Sequence, residues 1–338
     1  MVDEEIESSS TLHPPLDGTR RIRLDIAYDG TDFNGWGRQP NLRTVQGEIE
    51  QALASILRRY GPPPTLVVAG RTDAGVHATG QVAHLDLTDA QAGSLLRPDR
   101  GRNRGGERDA GTALARRLNG ILSQKGDIVI SRGSLAPEGF DARFGALWRR
   151  YSYRLADQTA VRNPLHRVNT TWHHSRLDGE AMDAAAASLC GLHDFAAYCK
   201  PRDGATTIRT LQSFTWERDV DGVLTARLQA DAFCHSMVRA LVGACVSVGA
   251  GKLDPGDPVA LRDAAERTNA FMVMPARGLT LTQVGYPDDL RLAARAAETR
   301  QRRALHRSDA PIDATVATTA TTDSAADRPR IANGVEVS

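Results

Sequence analysis

Lysine is almost missing from this chain: Lys125, Lys200 and Lys252 are the only three among 42 basic residues in a total of 338. Cysteine is scarce as well, and Cys190, Cys199, Cys234 and Cys245 are unevenly spaced, which excludes a disulfide framework and predicts reduced thiols in a cytoplasm. No apolar run reaches the length of a bilayer span, so no membrane partner is expected. The opening MVDEEIESSS is acidic and lacks the apolar segment of a secretory signal. Charge of one sign is absent locally rather than overall. Residues 1–17 carry five acids and no Lys or Arg, and residues 308–338 carry five acids against Arg328 and Arg330. With those ends at −5 and −3 and the whole chain at +1, residues 18–307 carry +9. Almost all of that cation is guanidinium, which suits bidentate phosphate contacts and stacking on bases. An arginine-biased composition with an ordinary solvated surface gives the same count.

What is present is a folded core. Residues 21–28 alternate with Ile22, Leu24, Ile26 and Tyr28 on one face, the pattern of a half-buried strand. A Gly/Asp/Asn-rich loop holding Phe33 and Trp36 follows, then a helix capped by Thr44 with an apolar stripe through Val45, Ile49, Leu53, Ile56 and Leu57. A short apolar strand (TLVVA) leads into a glycine-punctuated loop, and QVAHLDL resumes strand character. Residues 89–111, rich in glycine and arginine, read as a mobile surface insertion. A helix near 112–123 and a strand near 127–135 come next. From Arg150 the chain alternates again, with Tyr151, Tyr153 and Leu155 on one side and Arg150, Ser152 and Arg154 on the other.

The second half predicts a helix at 178–190 capped by Asp178, strands near 208–217 and 222–231, a helix at 235–249, another near 257–268, and a strand TLTQVGY. In the 235–249 helix, Met237, Val238, Leu241, Val242, Cys245 and Val246 form the buried stripe, while Arg239 points off it beside Ser236 and Gly243. A basic helical stretch precedes a disordered tail beyond 308. Paired strands with helices between them suggest an α+β fold of antiparallel sheet covered by helices.

Chemistry concentrates in GRTDAGVHATGQVAHLD at residues 70–86, where Arg71 and Asp73 stand two apart before a turn at Gly75. The spacing predicts a carboxylate held between a cation and a turn. A backbone-capping turn Asp has the same look. His77 and His84 lie across a turn with no third ligand nearby, and Cys190, His193 and Cys199, or Cys234 with His235, lack paired zinc spacing, so no metal is expected. Both histidines read as local hydrogen-bonders. Asp73 with Asp86 is a conceivable glycosidase pair of unknown separation. Phe33 and Trp36 either brace the loop or contact a ligand.

Together with FNGWGRQ upstream and FDARFGALWRRYSYR, FCHSMVRALVG and PARGLTLTQVGY downstream, that stretch resembles the TruA-type tRNA pseudouridine synthases, in motif order over roughly residues 20–288. The resemblance implies an isomerase that converts uridine to pseudouridine at positions 38, 39 and 40 of the tRNA anticodon stem-loop. It places the catalytic aspartate on Asp73, its partner arginine on Arg71, a base-stacking tyrosine on Tyr151 and a second active-site arginine on Arg239. Arg38, Arg150 and His77 join Tyr151 as expected substrate contacts. It implies two similar halves, 20–140 (with the insertion at 89–111) and 141–290, whose sheets face a central RNA-binding cleft; composition adds a disordered acidic segment at 1–19 and, at 291–338, a basic helical stretch and then a disordered tail, the N-terminal segment and the tail beyond 308 lying outside the resemblance. It further implies a homodimer, tRNA as partner, and neither metal nor organic cofactor. Gly37 stands where the family more often has a polar residue.

The reaction must break the C1′–N1 bond, turn the freed base and rejoin it through C5. A carboxylate can attack C1′, attack C6, or take the 2′ proton to give a glycal. Each route wants Asp73 ionised: a free aspartate titrates near pH 4, burial raises that value, and Arg71 with Arg239 would lower it. A ring at Tyr151 can hold the loose base by stacking worth roughly 1–3 kcal/mol and is a candidate base for the C5 proton. The target must be flipped out of its stem. The alternatives are a non-catalytic tRNA-binding protein on the same scaffold, which has no use for Arg71, Asp73 and Tyr151 together, and an N-glycosidase that releases the base.

Overall fold

The computed structural model describes residues 18–96, 109–201 and 206–308. The acidic N-terminus through residue 17, residues 97–108 of the expected insertion, and the tail beyond 308 lie outside the described residues. The first half runs β1 (Thr19–Tyr28), α1 (Val45–Leu57), β2 (Val67–Val68), β3 (His77–Thr88), α2 (Asp89–Leu96), α3 (Ala110–Leu122) and β4 (Ile128–Leu135). The second runs β5 (Trp148–Ala156), β6 (Thr171–Trp172), α4 (Gly179–Ser188), β7 (Gly191–Asp194), β8 (Ile208–Arg218), β9 (Leu224–Ala230), α5 (Met237–Gly249), α6 (Asp257–Ala264), β10 (Leu279–Gly285) and α7 (Leu292–Ser308).

Local rules account for these elements. Ile22, Leu24, Ile26 and Tyr28 of β1 are buried at every second position, as the alternation predicts. Thr44 caps α1 by accepting from the Gly47 amide at 3.2 Å, and Val45, Ile49, Ala52, Leu53 and Leu57 form its buried stripe. Asp109 caps α3 by accepting from Gly111 (2.8 Å) and Thr112 (3.1 Å).

The loose insertion expected at 89–111 is not one at its ends. Residues 89–96 form α2, which buries Ala92 and Leu95. The cause is a capping box: the Gln91 amide donates to Thr88 Oγ1 (3.2 Å), and the Thr88 amide donates to Gln91 Oε1 (3.0 Å).

Among the described residues ten strands form one sheet in the order β4-β1-β3-β10-β5-β9-β8-β7, with β2 beside β3 and β6 beside β5. The α+β class holds, and each half is built on an antiparallel run. The two sheets do not stand apart as separate walls, however. They join edge to edge through a parallel pairing of β3 with β10, Thr280 opposite His77 and Leu281 opposite Ala78. Pairing satisfies backbone groups of two apolar strands that separate sheets would leave at raw edges. The strands close in tightly here, because a Cβ on Gly80 would stand 2.0 Å from the Thr282 carbonyl oxygen. One apolar cluster runs through both halves.

The connection between the halves covers the other side of β3. His84 is buried there, edge-on to Phe140 with ring centroids 6.2 Å apart, and its Nδ1 accepts from the Ala142 amide at 3.0 Å. Accepting at Nδ1 requires a neutral ring. Burial, with Arg21 nearby, lowers the imidazole from 6.5 to about 4. Between those values an unfolded chain takes a proton that the native chain refuses. Stability is therefore full above about pH 6.5 and declines as pH falls toward about 4, by roughly 3 kcal/mol in total for that one group. His84→Gln, whose amide oxygen can accept from Ala142, is expected to flatten this decline in denaturant melts compared at pH 7 and pH 4.5.

Candidate active site

Asp73 sits in the loop between β2 and β3. That loop is shaped from beneath: the Trp36 amide donates to the Thr72 carbonyl (3.0 Å) and the Gly75 amide to the Phe33 carbonyl (3.2 Å). Gly75 turns the chain at φ +76°, a conformation open to glycine at no steric cost. The Tyr28 and Thr72 hydroxyls share a 2.7 Å hydrogen bond, and Gln81 donates to the Gly70 carbonyl at 2.9 Å. Phe33 and Trp36 are buried and hold the loop, so they brace it rather than face a ligand.

The carboxylate itself has two partners from across the molecule. Arg239 Nη2 donates to Asp73 Oδ2 at 3.1 Å, and His235 Nε2 stands 3.5 Å from Oδ1. Arg239 comes from α5, a helix buried all round except at that residue, which is more than the stripe the sequence predicts. It is fixed by donating also to the Met274 carbonyl (3.3 Å) and the Ser236 hydroxyl (3.2 Å). Segment 272–274 reaches it because Gly243, one turn along, lacks a side chain; a Cβ there would stand 2.0 Å from the Met272 carbonyl oxygen. Ser236 holds φ +63°, in the left-handed region that a residue with a Cβ seldom enters. Strain is thus placed between His235 and Arg239, the two side chains that meet Asp73.

Arg71 does not pair with Asp73, against the sequence expectation. It is exposed, and its stem lies over Gly37, where a Cβ would stand 3.6 Å from Arg71 Nε. Side chains two apart share a face only in a regular strand, and residues 71–73 lie in a loop outside any strand. Arg38 is exposed next to it.

Tyr151 lies on β5 with its ring packed edge-on against Phe233, centroids 5.2 Å apart. Burial, with Tyr28 and Asp73 nearby, pushes its phenol well above the ordinary tyrosine range although Arg149 opposes this. Arg150 is on the opposite face of the sheet, hydrogen-bonded to Gln229 (2.6 Å) and Gln283 (2.9 Å) and set over the Trp148 ring. The expectation that Arg150 shares a substrate site with Tyr151 is therefore corrected by strand alternation. Arg149 is the arginine on Tyr151's side. It donates to the carbonyls of Ala69 (2.8 Å), Asp231 (2.8 Å) and Arg143 (3.2 Å), tying the start of the Asp73 loop to the second half.

His77 is likewise corrected from substrate contact to clamp. Its Nδ1 accepts from the Gly30 amide (3.0 Å), and its Nε2 donates to the carbonyls of Val168 (3.0 Å) and Arg277 (3.1 Å), which leaves no ring nitrogen for a ligand. Asp86 is held bidentate by Arg21, both bonds 2.7 Å. It pairs with that arginine far along β3 and makes no carboxylate dyad with Asp73.

The site thus offers an accessible carboxylate, a fixed guanidinium on one of its oxygens, an imidazole by the other, and an aromatic ring close by. Among the described residues no helix is long and apolar enough to cross a membrane. The tRNA pseudouridine synthase family model matches residues 185–287. A tRNA pseudouridine synthase A from Leifsonia xyli subsp. xyli is 62% identical over 292 residues, covering 86% of this chain and 99% of that one. The protein of the same name from Streptomyces griseus subsp. griseus is 51% identical over 85% of this chain and 95% of its own length. That from Mycobacterium leprae is 44% identical over 87% and 99%.

Proposed function

The chain belongs to the tRNA pseudouridine synthase family, and on that premise we propose that it isomerises uridine to pseudouridine in the anticodon stem-loop of tRNA, at positions 38, 39 and 40, with Asp73 as the catalytic carboxylate. The observation that carries the assignment of Asp73 is its pairing with Arg239 at 3.1 Å, across 166 residues of sequence, at a loop otherwise tied down by backbone bonds. A turn aspartate that merely capped its own loop would not need a guanidinium brought from a buried helix.

In this reading Arg239 holds and aims the carboxylate. The target nucleotide leaves its stem and places its base by Tyr151, whose ring keeps the cleaved uracil from diffusing while it turns. Arg71 and Arg38, both exposed at the loop's rim, meet the phosphates around the flipped nucleotide. The protein works in the cytoplasm as a homodimer, two readings that rest on the family resemblance.

The test is incubation of the purified protein with unmodified tRNA, followed by carbodiimide mapping and mass measurement. Pseudouridine at 38, 39 or 40 with no mass change supports the assignment. An abasic site would favour an N-glycosidase, and an unaltered tRNA that stays bound would favour a non-catalytic binder. Because the grip is on phosphate, affinity is expected to fall steeply between 50 and 200 mM salt, on the order of 10³-fold for six contacts, as read by filter binding.

A further inference from the structure

Every route from uridine to pseudouridine shares one proton transfer. After C5 joins C1′, C5 still bears its hydrogen, and the ring is restored only when that proton leaves. The C5–H electron pair then becomes the C5–C6 double bond, the C6–N1 π pair takes up a proton at N1, and the step is neutral overall. Some group has to accept from C5. Asp73 already serves the cleavage of C1′–N1 in this reading, and guanidinium groups have no lone pair to offer. Tyr151 is poorly suited because burial keeps its phenol protonated. Cys234 is turned to the Thr206 carbonyl, 3.8 Å away.

His235 stands apart from these. It is about half exposed on the open side of Asp73, with Nε2 3.5 Å from Oδ1. A carboxylate at that distance favours the tautomer with its proton on Nε2 and a lone pair on Nδ1, a nitrogen with no hydrogen bond among the described residues. The ring is anchored through its backbone: its carbonyl accepts from the Lys200 amide at 3.1 Å, and Ser236 next to it is held at φ +63°. Resting on the reading of Asp73 as the catalytic carboxylate, we propose that His235 is the base that takes the C5 proton, on Nδ1, with Asp73 fixing its tautomer and the proton passing to solvent as N1 gains one.

The experiment uses the full chain and tRNA tritiated at uridine C5, in single turnover, with His235→Gln and His235→Ala. Tritium release and pseudouridine formation are both expected to slow about 100-fold, the usual size of a general-base contribution, with tRNA binding and thermal melting unchanged. Added imidazole should restore His235→Ala and leave Asp73→Asn dead. The acid limb of the wild-type rate profile, where imidazoles ordinarily take up a proton, should disappear in His235→Gln. Wild-type rates in both variants would overturn the proposal. So would a slow His235→Ala that imidazole fails to rescue while the acid limb persists, since His235 would then only position Asp73. A wild-type protein that makes no pseudouridine would remove the functional reading and this one with it.

Discussion

Asp73→Asn is expected to bind tRNA as tightly as the wild type and to form pseudouridine at least about 10³-fold more slowly, the scale on which removal of a reacting carboxylate acts. The amide has nearly the shape of the carboxylate, so the loop should stand: its form comes from the Trp36–Thr72 and Gly75–Phe33 backbone bonds, none of which uses the Asp73 side chain. Arg239 also keeps its place through Met274 and Ser236. What is lost is the negative charge and the nucleophilic or basic oxygen. Loss of one acid beside a polyanion does not weaken a phosphate grip, so filter binding should match or exceed the wild type. Carbodiimide mapping gives the decisive number, and full activity in this variant would end the assignment of Asp73.

The second large effect is structural. Gly80→Val is expected to destabilise the fold by about 3 kcal/mol or more, with loss of pseudouridine formation following from it. A Cβ at this position would meet the Thr282 carbonyl oxygen at 2.0 Å and the Gln283 Cα at 3.0 Å. Those are backbone atoms of a paired strand, and they cannot turn aside as a side chain does. To admit valine, β10 has to move off β3, and β10 is registered on β5, the strand of Tyr151. The damage therefore passes from the seam to the site. A thermal melt and an activity assay should fall together. A variant that melts like the wild type would show that the seam tolerates separation.

Much of this was legible from residue order. The alternation of β1, the Thr44 cap of α1 and the off-stripe Arg239 each follow from short-range rules, and the structure keeps them. The capping box Thr88–Gln91 was equally readable and would have replaced a loose insertion by α2. Alternation on β5 also carried the correction for Arg150: it puts Arg149, not Arg150, on the side of Tyr151. What no local rule supplies is which distant groups meet. Asp73 looked to Arg71, two residues away, and found Arg239 and His235 instead, because two-apart side chains in a loop need not converge while a buried helix can deliver its one charged residue to a chosen point. The edge-to-edge seam was hidden for the same reason, since β3 and β10 lie about two hundred residues apart.

The distance between Asp73 and Arg239 is also an interval of time. At the roughly 5–20 residues per second of a bacterial or eukaryotic ribosome, the 166 residues between them take on the order of ten seconds to make. Through that interval the loop exists and its carboxylate has no arginine. Synthesis that stops between Asp73 and His235 yields a chain that carries the carboxylate but lacks both side chains that meet it, so an interrupted product cannot assemble the site.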